Sequence, residues 1–170
     1  LHNIDKRIII QKKTDNYNAI LIGIGNEVLS EDRIGVYLAH RLGKQLDIPS
    51  RISPYISLDL LDYVENKDAV FIIDSFKDPD YQLGGIKLFL LSDLESRQNP
   101  SYSHGVTIPI IFNIAEKLHQ RVSKSIVIFG VNVSDNQTFS EDFSEKIQEI
   151  IDEIYKNLEI KIKKYVGGTQ

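Results

Sequence analysis

The sequence predicts an α/β fold, a three-layer α/β/α sandwich around a mostly parallel central sheet, and three features predict it. Ala19–Ile24 and Ala69–Ile73 are continuously apolar with no alternation, the pattern of strands covered on both faces. Between such runs lie stretches whose apolar residues recur at a period near 3.6, the signature of helices with one buried face. Strand-like and helix-like segments alternate along the chain, which is the order that crossover connections of a parallel sheet require. At 170 residues, 42% of them hydrophobic, the chain can bury one proper core.

The first strand is stopped by Gly23-Ile24-Gly25-Asn26, where glycines let the backbone turn sharply. A helix follows, with Ile34, Tyr37, Leu38 and Leu42 on one face. Arg51 to Ile56 alternates weakly, and Pro54 confines it to an edge or irregular strand because proline cannot donate to a ladder. Ser57 is placed to cap a short helix, Leu58 to Glu65. The Ala69–Ile73 strand ends on Asp74, a polar loop runs from Ser75 to Gly84, and Gly85 to Leu91 forms the next strand.

Beyond a second long loop, Ser92 to Ser103, a helix starts near Thr107-Ile108-Pro109, with proline tolerated in its first turn. Ser125 to Val131 is a further buried strand. Phe139 to about Tyr165 is the last helix, opened by Thr138 and Glu141 at capping-box spacing and striped by Phe143, Ile147, Ile150, Ile151, Ile154 and Leu158. Residues 1–17 read as an N-terminal arm or edge strand, 18–165 as a single domain, and 166–170 as a tail.

Composition narrows the partners. A formal charge of -4 and a pI near 5.6, with basic residues clustered only at Lys161–Lys164, argue against nucleic acid or an anionic membrane. The absence of cysteine excludes disulfides, thiolate metal sites and a cysteine nucleophile. No run approaches the ~18 apolar residues of a membrane span. The first residues lack a signal peptide's apolar region, so a cytoplasmic monomer is expected.

Three polar residues stand where strands run into loops or a helix begins: Asp32 after the first strand, Asp74 closing the central one, and His104 before a helix. Open α/β sheets bind ligands at the carboxyl ends of their strands, and residues distant in sequence can meet there. Two carboxylates within ~5 Å repel by ~3 kcal/mol at an effective dielectric of 20, which a cation or a shared proton relieves. Two carboxylates and an imidazole form a mixed oxygen and nitrogen ligand set suited to nickel, zinc or iron, with positions left for water or substrate. Asp32 and Asp74 acting directly on water, as acid and base, is an alternative that needs no metal. Singly, Asp32 can serve only to favour the positive end of the following helix, Asp74 to form a turn, and His104 to sit on the surface. His2, His40 and His119 read as solvated.

Other chemistries lack their residues. The dinucleotide fingerprint needs a third glycine where Val28 stands, and neither the serine-hydrolase elbow nor the phosphate-binding loop is present.

Taken together, Gly23-Ile24-Gly25-Asn26 through Glu31-Asp32-Arg33-Ile34-Gly35, Phe71-Ile72-Ile73-Asp74 and Ser103-His104 resemble the motifs of the nickel-iron hydrogenase maturation endopeptidases, in the same order. The resemblance spans Asn18 to about Leu158. It implies an α/β sandwich that removes the C-terminal peptide of a hydrogenase large-subunit precursor after nickel insertion. The family's metal-contacting acids and histidine would fall on Asp32, Asp74 and His104. The nickel would come with the substrate, another divalent metal being an alternative, and Asp32 or Asp74 would help activate water. A non-catalytic protein that binds a metal centre or partner on the same scaffold is the competing expectation. Two segments depart from the family pattern: Ser53-Pro54-Tyr55-Ile56-Ser57 has no glycine-rich acidic turn, and Gly130-Val131-Asn132-Val133 replaces a Gly-Val/Ile-Glu/Gln-Pro stretch. Both are expected to line a groove for the substrate tail.

Overall fold

The computed structural model describes residues 18–90, 107–118, 121–123 and 125–166. The N-terminal arm, His104 and its loop, and residues 167–170 lie outside them. Five strands, β1 Ala19–Ile24, β2 Ser50–Ser53, β3 Ala69–Phe76, β4 Ile86–Leu90 and β5 Ile126–Asn132, form one sheet in the order β2-β1-β3-β5-β4. All neighbours are parallel except β4, which runs antiparallel to β5. Four helices are described: α1 Ile34–Leu46, α2 Leu60–Val64, α3 Thr107–Lys117 and α4 Glu145–Val166.

Alternation in the strands decides the layers. Leu21, Phe71, Ile73, Val127 and Phe129 face α1 and α4, where Ile34, Leu38, Leu42, Ile147, Leu158 and Ile162 complete one core. Ile20, Ile22, Val70, Ile72, Ile126 and Ile128 face α2 and α3 and form the second core with Leu60, Leu61, Val64, Ile108 and Ile111. This is the expected α/β/α sandwich. β1, β3 and β5 are buried along their whole length, as unalternating apolar runs require.

The chain leaves β1 for β2 on one side and returns to β3 on the other, so β1 and β3 flank the point where the winding reverses. Such switch points open a crevice at the strands' carboxyl ends. Helix α1 is drawn close over it: a Cβ added to Gly35 would lie 2.3 Å from the Ile24 carbonyl oxygen and 2.4 Å from that of Ile73. Gly35→Ala should therefore destabilise the fold by about 2–4 kcal/mol, although alanine is the better helix former by ~1 kcal/mol. Urea unfolding checks the sign, and a more stable variant would refute the close packing.

Several boundaries differ from expectation. β2 stops at Ser53, before Pro54, and β3 continues past Asp74 through Ser75 to Phe76. β3 extends because Ser75 and Phe76 still pair in register with Val131 and Asn132 of β5. No side-chain cap opens α2, and Ser57 instead bonds the Asp59 carboxylate. The final helix begins at Glu145, not Phe139. Residues 138–140 are held extended along the β1–α1 loop, with Ser30 N–H to Thr138 O at 2.9 Å and Ser140 N–H to Val28 O at 3.1 Å. Those bonds compete with a helical turn. Ser144, whose hydroxyl oxygen accepts from Ile147 N–H at 3.4 Å, takes the capping place expected of Thr138.

Candidate functional site at the switch point

Gly25 turns the chain out of β1 at φ +145°, and a Cβ there would lie 2.0 Å from the Asp32 carbonyl oxygen. Only glycine admits that approach. The loop thereby folds back on itself, and the Asn26 N–H donates to Asp32 Oδ2 at 2.8 Å.

From the neighbouring strand, the Ser75 hydroxyl donates to Asp32 Oδ1 at 2.8 Å, while the Ser75 N–H donates to Asp74 Oδ1 at 2.7 Å. One serine therefore holds both carboxylates. Asp74 is fully buried and Asp32 nearly so, an environment that leaves carboxylates dependent on hydrogen bonds or a cation. Each oxygen of Asp32 takes one of these donors and has lone-pair capacity for another ligand.

The structure thus brings Asp32 and Asp74 to the same residue, whereas His104 lies outside the described residues. Among the described residues no cluster of three or more metal-ligating side chains occurs. The oxygen donors suit a hard or borderline divalent cation. His40 is exposed on α1, as anticipated, and His2 and His119 are outside the described residues.

Sequence reasoning missed Ser75 by assigning it to a loop. Its signal was the apolar Phe76 beyond it, which prolongs the buried strand. Glu31, the sequence neighbour of Asp32, takes different partners from it. Fully buried, it accepts from Ser134 N–H at 2.7 Å, Asp135 N–H at 2.8 Å and the hydroxyls of Ser134 and Ser144. Glu31 thus binds the segment after β5 to the loop that carries Asp32. In that segment, hydrogen bonds from the Thr138 side chain and the Gln137 N–H hold the exposed Asp135 carboxyl below its ordinary pKa. Its contribution to stability is present above the ordinary carboxylate pKa and is lost as pH falls through the lowered one.

Asn132, expected beside a substrate groove, is instead buried. Its amide donates to the carbonyls of Asp78 at 3.0 Å and Tyr81 at 2.7 Å, tying down the β3–β4 connection.

No protein-family model and no curated protein matches the sequence. Solved structures do match in shape. The hydrogenase maturating endopeptidase HybD of E. coli superposes with a TM-score of 0.66 at 15% identity, over 83% of this chain and 89% of that one. The [NiFe] hydrogenase maturation protease HybD of Thermococcus kodakarensis gives 0.67 at 14% identity, over 84% and 97%. The maturation protease HycI of T. kodakarensis KOD1 gives 0.58 at 22% identity, over 89% and 94%. The chain has the fold of the hydrogenase maturation proteases.

On this maturation-protease fold, several large apolar side chains are exposed in the loops at the carboxyl edge of the sheet. Val28, Tyr55, Leu58 and Phe139, the last 80% exposed, lie in the connections that leave the carboxyl ends of β1, β2 and β5. Among the described residues, no helix is long and apolar enough to cross a membrane.

Proposed function

We infer that the chain is an endopeptidase of hydrogenase maturation, which removes the C-terminal peptide from a nickel-iron hydrogenase large-subunit precursor. The observation that carries this reading is the pair of buried carboxylates, Asp32 and Asp74, both held by Ser75 at the switch point of this fold. The likeness to solved maturation proteases supports the reaction class.

In this reading the precursor's nickel is part of the substrate, and Asp32, Asp74 and His104 contact it. The Asn26 N–H and the Ser75 hydroxyl fix the Asp32 carboxylate before substrate arrives, so recognition needs little rearrangement. A carboxylate of the pair then accepts a proton from the attacking water as its oxygen adds to the peptide carbonyl. The C–N bond breaks and the proton passes to the leaving amine, which balances the hydrolysis. A precursor without metal would leave two buried carboxylates held by the same serine without a cation, and would be rejected.

Incubation with a nickel-loaded precursor should shorten it by its C-terminal peptide, read by mass spectrometry, while the metal-free precursor stays intact. A stable complex without shortening would overturn the reading in favour of a non-catalytic binder of the same metal centre.

A further inference from the structure

A groove of about 470 Å³ opens beside the site, between helix α1 and strand β2. It starts at Glu27 and Arg33, the sequence neighbours of Asn26 and Asp32, and runs along α1 to Lys44. Eleven residues of helix cover ~16 Å, which matches about five residues of extended chain. Its floor is apolar: Val36 and Tyr37 come from α1, and Ile52 from β2 stands half exposed across from them.

Its charge is one-sided. Arg33, His40, Arg41 and Lys44 line it against the single acid Glu27, in a chain whose formal charge is -4. The two arginines are already committed. Arg33 donates to the Glu141 carbonyl and lies over Phe143, and Arg41 pairs with Asp152 at 2.6 Å above the ring of Tyr155. His40 and Lys44 are exposed and have no side-chain partner among the described residues. β2 is the end strand of the sheet, and no strand lies beyond it among the described residues. An apolar floor, an uncommitted lysine cation, an exposed imidazole that can hydrogen-bond and an adjacent sheet edge are the elements that recognise an extended peptide.

We propose that this groove is a substrate subsite that takes an extended, carboxylate-bearing peptide segment adjoining the bond to be cut. Apolar side chains of the segment rest on Val36 and Ile52, and its carboxylates reach His40 and Lys44. The proposal rests on the processing reading for the identity of its occupant, but its binding can be measured without any cleavage.

The probe is a blocked hexapeptide of alternating leucine and glutamate, titrated into the isotopically labelled full chain and followed by amide NMR shifts. Saturable shifts are expected at Val36 to Lys44 and at Ser50 to Ser53. The matching leucine and lysine peptide should bind at least five-fold more weakly. The double variant His40→Glu with Lys44→Glu, whose changes are on the exposed face of α1, should lose that preference while keeping the wild-type melting temperature.

Equal binding of the two peptides, shifts confined to other surfaces, or an unchanged preference in the double variant would overturn the proposal. So would concentration-dependent shifts without peptide, which would place a second copy of the chain in the groove. Peptide binding here together with an uncut nickel-loaded precursor would sink the processing reading and leave the subsite standing. Cleavage without peptide preference would do the reverse.

Discussion

Asp74→Asn leaves the fold intact and lowers processing of a nickel-loaded precursor by at least a hundred-fold, on the reading developed above. The side chain is fully buried at the carboxyl end of β3 and accepts the Ser75 N–H at 2.7 Å. Asparagine has the same shape and can keep that acceptor through its amide oxygen. What it lacks is the negative charge and the second carboxylate oxygen, which are the features that a divalent cation and a proton in flight both require. Stability should change by about 1 kcal/mol or less, which is ~2–4 °C in melting temperature for a domain of this size. The separation of the two readouts is the point of the test. Unchanged processing by a folded variant removes Asp74, and with it the carboxylate-pair model, from the chemistry.

Glu31→Ala lowers stability by about 3–5 kcal/mol in urea unfolding. Two backbone N–H groups, those of Ser134 and Asp135, would lose their acceptor inside the protein, at roughly 1–3 kcal/mol each. The hydroxyls of Ser134 and Ser144 lose theirs as well. Glu31→Gln should fall between, because its amide keeps one acceptor oxygen but turns donor hydrogens toward other donors. Amide hydrogen exchange should locate the damage, with protection lost across residues 134–144 and at the first turn of α4 before the sheet is affected. A Glu31→Ala protein within 1 kcal/mol of the parent would show that this carboxylate holds nothing together.

The two predictions separate neighbouring acids that look equivalent on paper. Glu31 and Asp32 are adjacent, yet one faces the segment after β5 and the other faces β3. Nothing in the residue types distinguishes them, because both are carboxylates in one loop. The distinction arises from Gly25, whose positive φ folds the loop back on itself, so that Asp32 meets the Asn26 N–H while Glu31 meets the segment after β5.

Much of the architecture was legible. Unalternating runs such as Ala69–Ile73 announce strands covered on both faces, and the 3.6-residue period from Ile34 to Leu42 announces the covering helix. These are consequences of burying apolar area at a fixed geometric repeat, and they need no partner to be specified. Less legible were the ends of elements. β3 passes Asp74 because β5 supplies pairing partners for Ser75 and Phe76, and α4 starts late because residues 138–140 bond instead to the β1–α1 loop. Both outcomes depend on groups more than fifty residues away in sequence.

Residue patterns alone specify the layers, the strand and helix order, and the presence of Asp32 and Asp74 where strands give way to loops, because local periodicity and turning points are properties of short segments. Long-range packing is what makes Ser75 hold both acids, turns Glu31 inward to clasp the loop after β5, and sets Asn132 to secure the β3–β4 connection. Each of those is a pairing of hydrogen-bond donors with acceptors across the fold. A buried polar group must find such a partner somewhere, but which one it finds depends on where the strands bring the rest of the chain.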